Sequence, residues 1–321
     1  MAGPTSDRAQ APAPGAALGH RRDLLGAVLC ALAAAGWGCW SLFLRGSGLH
    51  PSWQSVLILV VVTLGSLPSV LLGKPPHDRP RGAGLWALVA LLGLLDAGNY
   101  VLYFSAVDRG PVGVAVLTHY LAPVLVAALA PALLQEPLGR STPWALAGAL
   151  AGLGLLVLGG GGLSSAALPT ALLGGASAFF YGGNLLLSKR LLADFSGAEL
   201  LLWHCAVSAL LLGALALAPA GVPGSAGGLP EVSALLGRPL LGAVLLGVVG
   251  AQLFYVGLRR IPAQEAAVLA YLEPLVASAV GVFVWGERLG PSGAFGGLLI
   301  CAGGLAVALD RRPLEPARER G

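Results

Sequence analysis

An apolar run over residues 264–284 carries a carboxylate near its middle, Glu273, immediately before Pro274. An ionisable side chain inside hydrocarbon is costly and usually functional. The proline has no N–H to give, so it frees the backbone carbonyl one turn earlier, at Ala270. A carboxylate beside an opened helix can hold a cation, a proton or the amine of a substrate. The competing use is structural: a protonated glutamate bonded to a neighbouring helix.

Other polar residues sit in other apolar runs. Asp96, Asn99 and Tyr103 fall at i, i+3 and i+7, on one helix face, which points to a cavity or a helix partner rather than to lipid. His119 lies at a depth similar to Tyr100, one turn above Asp96, so a pH-sensitive His119–Asp96 contact is expected. Trp37, Tyr181 and Asn184, with Tyr120 and Tyr271, are expected to line an aromatic cavity; plain packing is the alternative for each. His204 and Trp203 read as anchors at the membrane surface. Glu136 and Glu287 stand at helix ends and are expected to cap a helix or hold a connection.

The elements that must position these groups follow from composition. The chain of 321 residues is 56% hydrophobic and only 11% charged, with mean hydropathy +0.81. Soluble domains carry about 25% charged residues, so the chain reads as a membrane protein. Ten runs approach the roughly 20 apolar residues that a bilayer crossing needs: 24–44, 53–72, 85–107, 112–134, 143–159, 168–188, 199–218, 239–258, 264–284 and 291–309. Residues 16–38 resemble a signal peptide, but the many later runs favour a first membrane helix. The tails, 1–22 and 310–321, are polar and proline-bearing and read as disordered. The connection from Pro219 to Arg238 reads as a simple linker.

Charge orients the runs. Of the 19 Lys and Arg residues, Arg45, Arg109, Arg238 and Arg288 fall on one side and the other 15 on the opposite side. The positive-inside rule then places both termini in the cytoplasm. The bias to Ala, Gly, Leu and Arg over Lys fits a high-GC bacterial genome, and the expected location is the bacterial inner membrane. The net charge of +4 does not indicate nucleic acid, because the basic residues sit at helix ends without interleaved aromatics. The four cysteines have no paired spacing, so neither a disulfide framework nor a metal site is indicated, and Gly159 to Gly162 lacks the Lys-Ser/Thr of a phosphate loop. No cofactor is expected.

The chain also repeats itself. Shifted by 151 residues, 103–139 lies over 254–290 without a gap, matching Tyr120-Leu-Ala-Pro123 to Tyr271-Leu-Glu-Pro274 and Glu136 to Glu287. Gly36-Trp37-Gly38 lies more loosely beside Phe180-Tyr181-Gly182. Two repeats are read, 23–162 and 163–309, each of five helices; an odd number turns the second upside down. Such inverted halves can rock around one central site, as in secondary transporters. Pro123 and Pro274 are the expected helix breaks. Gly148-x-x-x-Gly152 and Gly293-x-x-x-Gly297 offer small faces for close packing, within the chain or in a homodimer.

In Tyr120-Leu-Ala-Pro123…Glu136-Pro-Leu-Gly139 and Tyr271-Leu-Glu-Pro274…Gly286-Glu287-Arg-Leu-Gly290, the sequence resembles the drug/metabolite transporter superfamily, and within it the EamA-like ten-helix members. The resemblance spans about 24–309 and implies an all-α membrane protein with a central cavity that exports or exchanges amino acids, other metabolites or toxic compounds. Glu273 motivates proton coupling. The alternative is an intramembrane enzyme acting on a lipid-linked intermediate, but no His-x-x-x-His, Gly-x-Ser-x-Gly or paired carboxylates are present. A channel is disfavoured because it would need a ring of ion ligands from oligomer symmetry.

Overall fold

The computed structural model describes residues 23–73, 81–109, 112–158, 167–220, 222, 225–286 and 290–309. The tails, Gly159 to Gly162, and Glu287 with Arg288 lie outside them. All regular structure among the described residues is helical. The order is α1 (Leu24–Trp37), α2 (Trp40–Leu44), α3 (Pro51–Leu72), α4 (Ala83–Arg109), α5 (Val112–His119), α6 (Ala122–Leu133), α7 (Thr142–Leu158) and α8 (Ala167–Leu191). It continues with α9 (Gly197–Ala216), α10 (Val232–Leu235), α11 (Arg238–Gly242), a π-helical stretch Ala243–Val249, α12 (Gly250–Leu258), α13 (Ala263–Leu269), α14 (Leu272–Trp285) and α15 (Pro291–Leu309).

Eight helical segments are long and apolar enough to cross a membrane, and α7 and α15 supply two shorter apolar helices. Large apolar side chains face outward: Leu72 is 88% exposed and Phe283 86%. Water would not tolerate so much bare hydrocarbon, whereas lipid does. The chain is a multi-pass membrane protein.

The packing exchanges partners between the halves. The first segment (α1) packs on the eighth (α12), and the sixth (α8) packs on the third (α4), which is the same pairing with the repeats swapped. The second packs on the seventh (α3 on α9), and the fifth on the tenth (α7 on α15), each against its own repeat mate. These contacts are close because of glycine. A Cβ at Gly257 would lie 2.7 Å from the Gly26 carbonyl, and one at Gly152 would lie 2.5 Å from the Gly296 carbonyl. The small face of α7 is therefore used inside the chain.

The fourth and ninth segments are each broken before their proline. Tyr120 and Leu121 form the turn between α5 and α6, and Ala270 and Tyr271 the turn between α13 and α14. The missing proline N–H is accommodated by tighter i→i+3 bonds: Leu121 N–H reaches the Thr118 carbonyl at 3.3 Å, and Tyr271 N–H the Val268 carbonyl at 3.2 Å. The Ala270 carbonyl, expected to be free, is taken by the Glu273 N–H at 3.0 Å.

The 219–238 connection is not a loose linker. It carries α10, and Ala226, Ala234 and Leu235 pack on a small core of Leu49, Trp53 and Ala216. The Trp53 indole N–H donates to the Gly228 carbonyl at 2.8 Å.

Candidate functional site

One end of the bundle is held shut by three ion pairs. Arg81, just before α4, donates to both carboxylate oxygens of Glu199, at 2.8 and 3.1 Å, and to the Asp194 carbonyl at 3.0 Å. Glu199 is already oriented, because it forms a capping box with Ser196 at the start of α9. Lys189, in the last turn of α8, donates to the carbonyls of Leu258 and Ile261, at 2.6 and 2.7 Å, and stands 3.6 Å from the Glu136 carboxylate. Glu136 in turn accepts the Ala263 N–H at 2.7 Å, capping α13 across the repeat boundary. Arg260 pairs with Asp23 at 2.7 Å, and this exposed pair holds the Asp23 carboxyl below the usual carboxylate range. The start of the ninth segment is sealed behind these groups: Ala263 is fully buried, whereas its repeat mate Val112 is 55% exposed.

Above this seal lies a cavity of about 410 Å³ lined from both halves. Near Ser55, Tyr100 and Phe104 it adjoins a second hollow of about 250 Å³, which extends to Asp108 and Arg109 at the far end of α4. Eight of the ten expected side chains reach the cavity: Glu273, Asp96, His119, Asn99, Tyr103, Asn184, Trp37 and Tyr181. The i, i+3, i+7 face of α4 is thus turned inward.

Tyr120 and Tyr271 correct the expectation of a cavity lining. Both are buried, and they pack with Ala145, Ala149, Leu153 and Ile300 where the halves meet. The reason is that each tyrosine sits in the proline turn of its segment, where the two repeats approach one another. The Tyr120 hydroxyl nevertheless stands beside the Glu273 carboxyl, with Tyr100, Tyr103 and Tyr181 also within electrostatic reach of it. Glu273 is held in place from behind: a Cβ at Gly38, in the turn between α1 and α2, would lie 2.6 Å from the Glu273 carbonyl.

The expected His119–Asp96 contact is replaced by two separate sites. His119 Nδ1 lies 2.9 Å from the Ser177 hydroxyl oxygen, and that hydroxyl donates to the Gly174 carbonyl at 2.7 Å. The serine proton is therefore in use, so Nδ1 carries the histidine proton and Nε2 is left as an acceptor. The ring is sandwiched by Tyr103 and Tyr181, with centroids 4.5 and 5.1 Å away. The histidine beside Asp96 is His204. Glycine explains the choice: Gly93, one turn before Asp96, lets α4 approach α9 so closely that a Cβ there would lie 2.8 Å from the His204 carbonyl. His204 is accordingly buried in the cavity wall and not a surface anchor, while Trp203 next to it does face outward.

Sequence reasoning also missed Tyr100, Trp40, Ser188 and Tyr255, all of which line the cavity. Tyr100 was discoverable, because it lies at i+4 from Asp96 on the same face. Ser188 and Tyr255, joined hydroxyl to hydroxyl at 2.9 Å, were not, since neither spacing nor repeat relates them. The Trp37 indole donates to the Leu246 carbonyl at 3.0 Å, inside the π-helical stretch. Widened helices of this kind often occur at functional sites.

Among the described residues, no group of three or more His, Cys, Asp or Glu side chains is placed to hold a metal ion. The arrangement is a chamber lined from both halves, with the three ion pairs gathered at one end.

The chain matches no curated protein. A solved crystal structure with 21% sequence identity superposes with a TM-score of 0.72, covering 88% of this chain and 98% of that one, which establishes a shared fold. The profile of the EamA-like transporter family matches twice, over residues 24–158 and 168–309, so its two copies fall on the two repeats. The chain belongs to the EamA-like transporter family.

Proposed function

We propose that this chain is a secondary transporter that moves a small organic solute, such as an amino acid or a drug-like compound, by alternating access. The observation that carries the reading is the asymmetric chamber: one cavity between the halves, sealed at the end bearing the Lys189–Glu136 and Arg81–Glu199 pairs and continued by a second hollow toward the other. In this reading α7 and α15 are the fifth and tenth spans. Their 17 and 19 residues reach about 26–29 Å at 1.5 Å per residue, close to the ~30 Å hydrocarbon core. Five spans per half make the repeats inverted, and the charge distribution puts both termini and the sealed end in the cytoplasm of a bacterium. The state is then outward-facing, and exchanging the conformations of the two halves would open the cytoplasmic side.

Glu273 is the coupling residue in this reading: a carboxylic acid in the chamber wall, facing a ring of tyrosines, that exchanges its proton for solute. The test is flux in proteoliposomes under an imposed pH gradient, with labelled amino acids and lipophilic amines. The parent protein should drive accumulation, and Glu273→Gln should abolish the response to the gradient. Undiminished pH-driven flux in that variant would remove Glu273 as the proton site. Conversion of a substrate without net movement would favour an intramembrane enzyme instead.

A further inference from the structure

The chemistry of the chamber wall narrows the ligand. Its acidic groups are Asp96 and Glu273, and Tyr100 lies within electrostatic reach of both. Its remaining titratable groups are His119, His204, Cys205 and tyrosines, and no Lys or Arg lines it. The nearest described lysine, Lys189, is engaged at the seal by Glu136 and two carbonyls. A ligand carboxylate would therefore meet two carboxyl groups and no cation. Like charges facing one another in a desolvated site are strongly disfavoured.

The walls between the carboxyls are aromatic. Trp37, Trp40, Tyr103, Phe104 and Tyr181 line the same space. Aromatic rings attract a cation and accept an apolar body. The volume of about 410 Å³ lies in the range of small-molecule pockets.

Two polar atoms in this wall have no partner. The Asn99 side-chain oxygen and the Asn184 side-chain nitrogen are buried and unbonded, although both residues line the chamber. Leaving such groups unsatisfied costs free energy that a ligand can recover. The Asn99 oxygen lies on the same face as the Asp96 carboxyl and accepts from a donor, which a protonated primary or secondary amine has and a quaternary ammonium lacks.

From the acidic pair, the aromatic walls and the unmet Asn99 oxygen, we infer that the chamber selects a protonated primary or secondary amine with an aromatic or branched apolar body and no anionic group. This narrows the transport reading, removing amino acids from its solutes, and rests on that reading for movement of the ligand, but not for its binding.

The test uses three probes with one ring and one two-carbon spacer: 2-phenylethylamine, L-phenylalanine and 3-phenylpropanoate. Binding to the full chain in lipid nanodiscs is read by calorimetry and by tryptophan fluorescence, since Trp37 and Trp40 face the ligand space. The amine should bind at least about tenfold more tightly than the carboxylate, with the zwitterion weaker than the amine. Asp96→Asn and Glu273→Gln should each weaken the amine about tenfold and leave the carboxylate no weaker. Equal or tighter binding of the carboxylate or the zwitterion overturns the inference, as does absence of amine binding at millimolar concentration. The probe series on the unmodified protein decides even if a variant misfolds. Amine binding without amine flux would remove the transport reading and keep the ligand class. Flux of the carboxylate without amine binding would do the reverse.

Discussion

The Tyr271 hydroxyl donates to the Tyr120 carbonyl oxygen at 2.8 Å, so two residues that the 151-residue shift superposes are in direct contact. Repeat mates related by a twofold can touch only near its axis. Their rings, 5.8 Å apart, therefore mark where the two halves meet.

Tyr271→Phe should remove that bond and leave a buried carbonyl without its partner. A loss of about 1–3 kcal/mol is expected, read as a lower melting temperature in detergent. Because Tyr271 does not line the chamber, ligand affinity should change little. A large fall in affinity with unchanged stability would contradict this placement.

Lys189→Met should break the seal. Its removal takes the cation from the Glu136 carboxylate, which keeps the Ala263 N–H, and the donor from two carbonyls at a largely buried site, and breaking a buried ion pair costs about 3–5 kcal/mol. The chamber should then open at the sealed end. Cys205 lines the chamber and is buried, so its labelling by a small maleimide added from that side should rise. Adding Glu136→Gln should recover part of the stability without closing the end again.

Gly38 and Gly182 occupy equivalent places in the two halves but not equivalent spaces. A Cβ at Gly38 would strike the Glu273 carbonyl at 2.6 Å, whereas one at Gly182 would lie 3.5 Å from the carbonyl of Ala122, the repeat mate of Glu273. Gly38→Ala should therefore destabilise by about 1–3 kcal/mol and displace Glu273. Gly182→Ala should be neutral or stabilise by up to about 1 kcal/mol, since alanine is the better helix former. Thermal melts of the pair check this; equal effects would mean that the halves do not differ here.

Asp23 and Arg260 give a pH dependence of defined sign. Arg260 lowers the Asp23 carboxyl, so the pair stabilises the fold above the unfolded-state carboxylate range and loses that contribution as pH falls through the lowered value. Asp23→Asn keeps a capping side chain for α1 but removes the charge. The variant should melt slightly below the parent at neutral pH and converge with it in acid. The difference should be small and salt-sensitive, as for exposed pairs in general.

What the sequence by itself determined is the class of the molecule and its repeat. Long apolar runs can satisfy their backbone in lipid only as helices, and the Tyr-Leu-x-Pro stretches align the halves because each places a proline, which has no N–H to donate, at the same register. It also marked Glu273 and the Asp96–Asn99–Tyr103 face, since helical spacing alone decides which residues share a side. Tertiary structure decided the rest. Which histidine serves Asp96 depends on how closely α4 approaches α9, which is set by a glycine whose missing side chain leaves no periodic trace. That Tyr120 and Tyr271 face each other and not the chamber depends on the meeting of two distant halves. The seal joins Glu136, Lys189 and the α12–α13 turn across more than a hundred residues of chain. Local periodicity reports a residue's side of its own helix, but only packing decides what stands opposite.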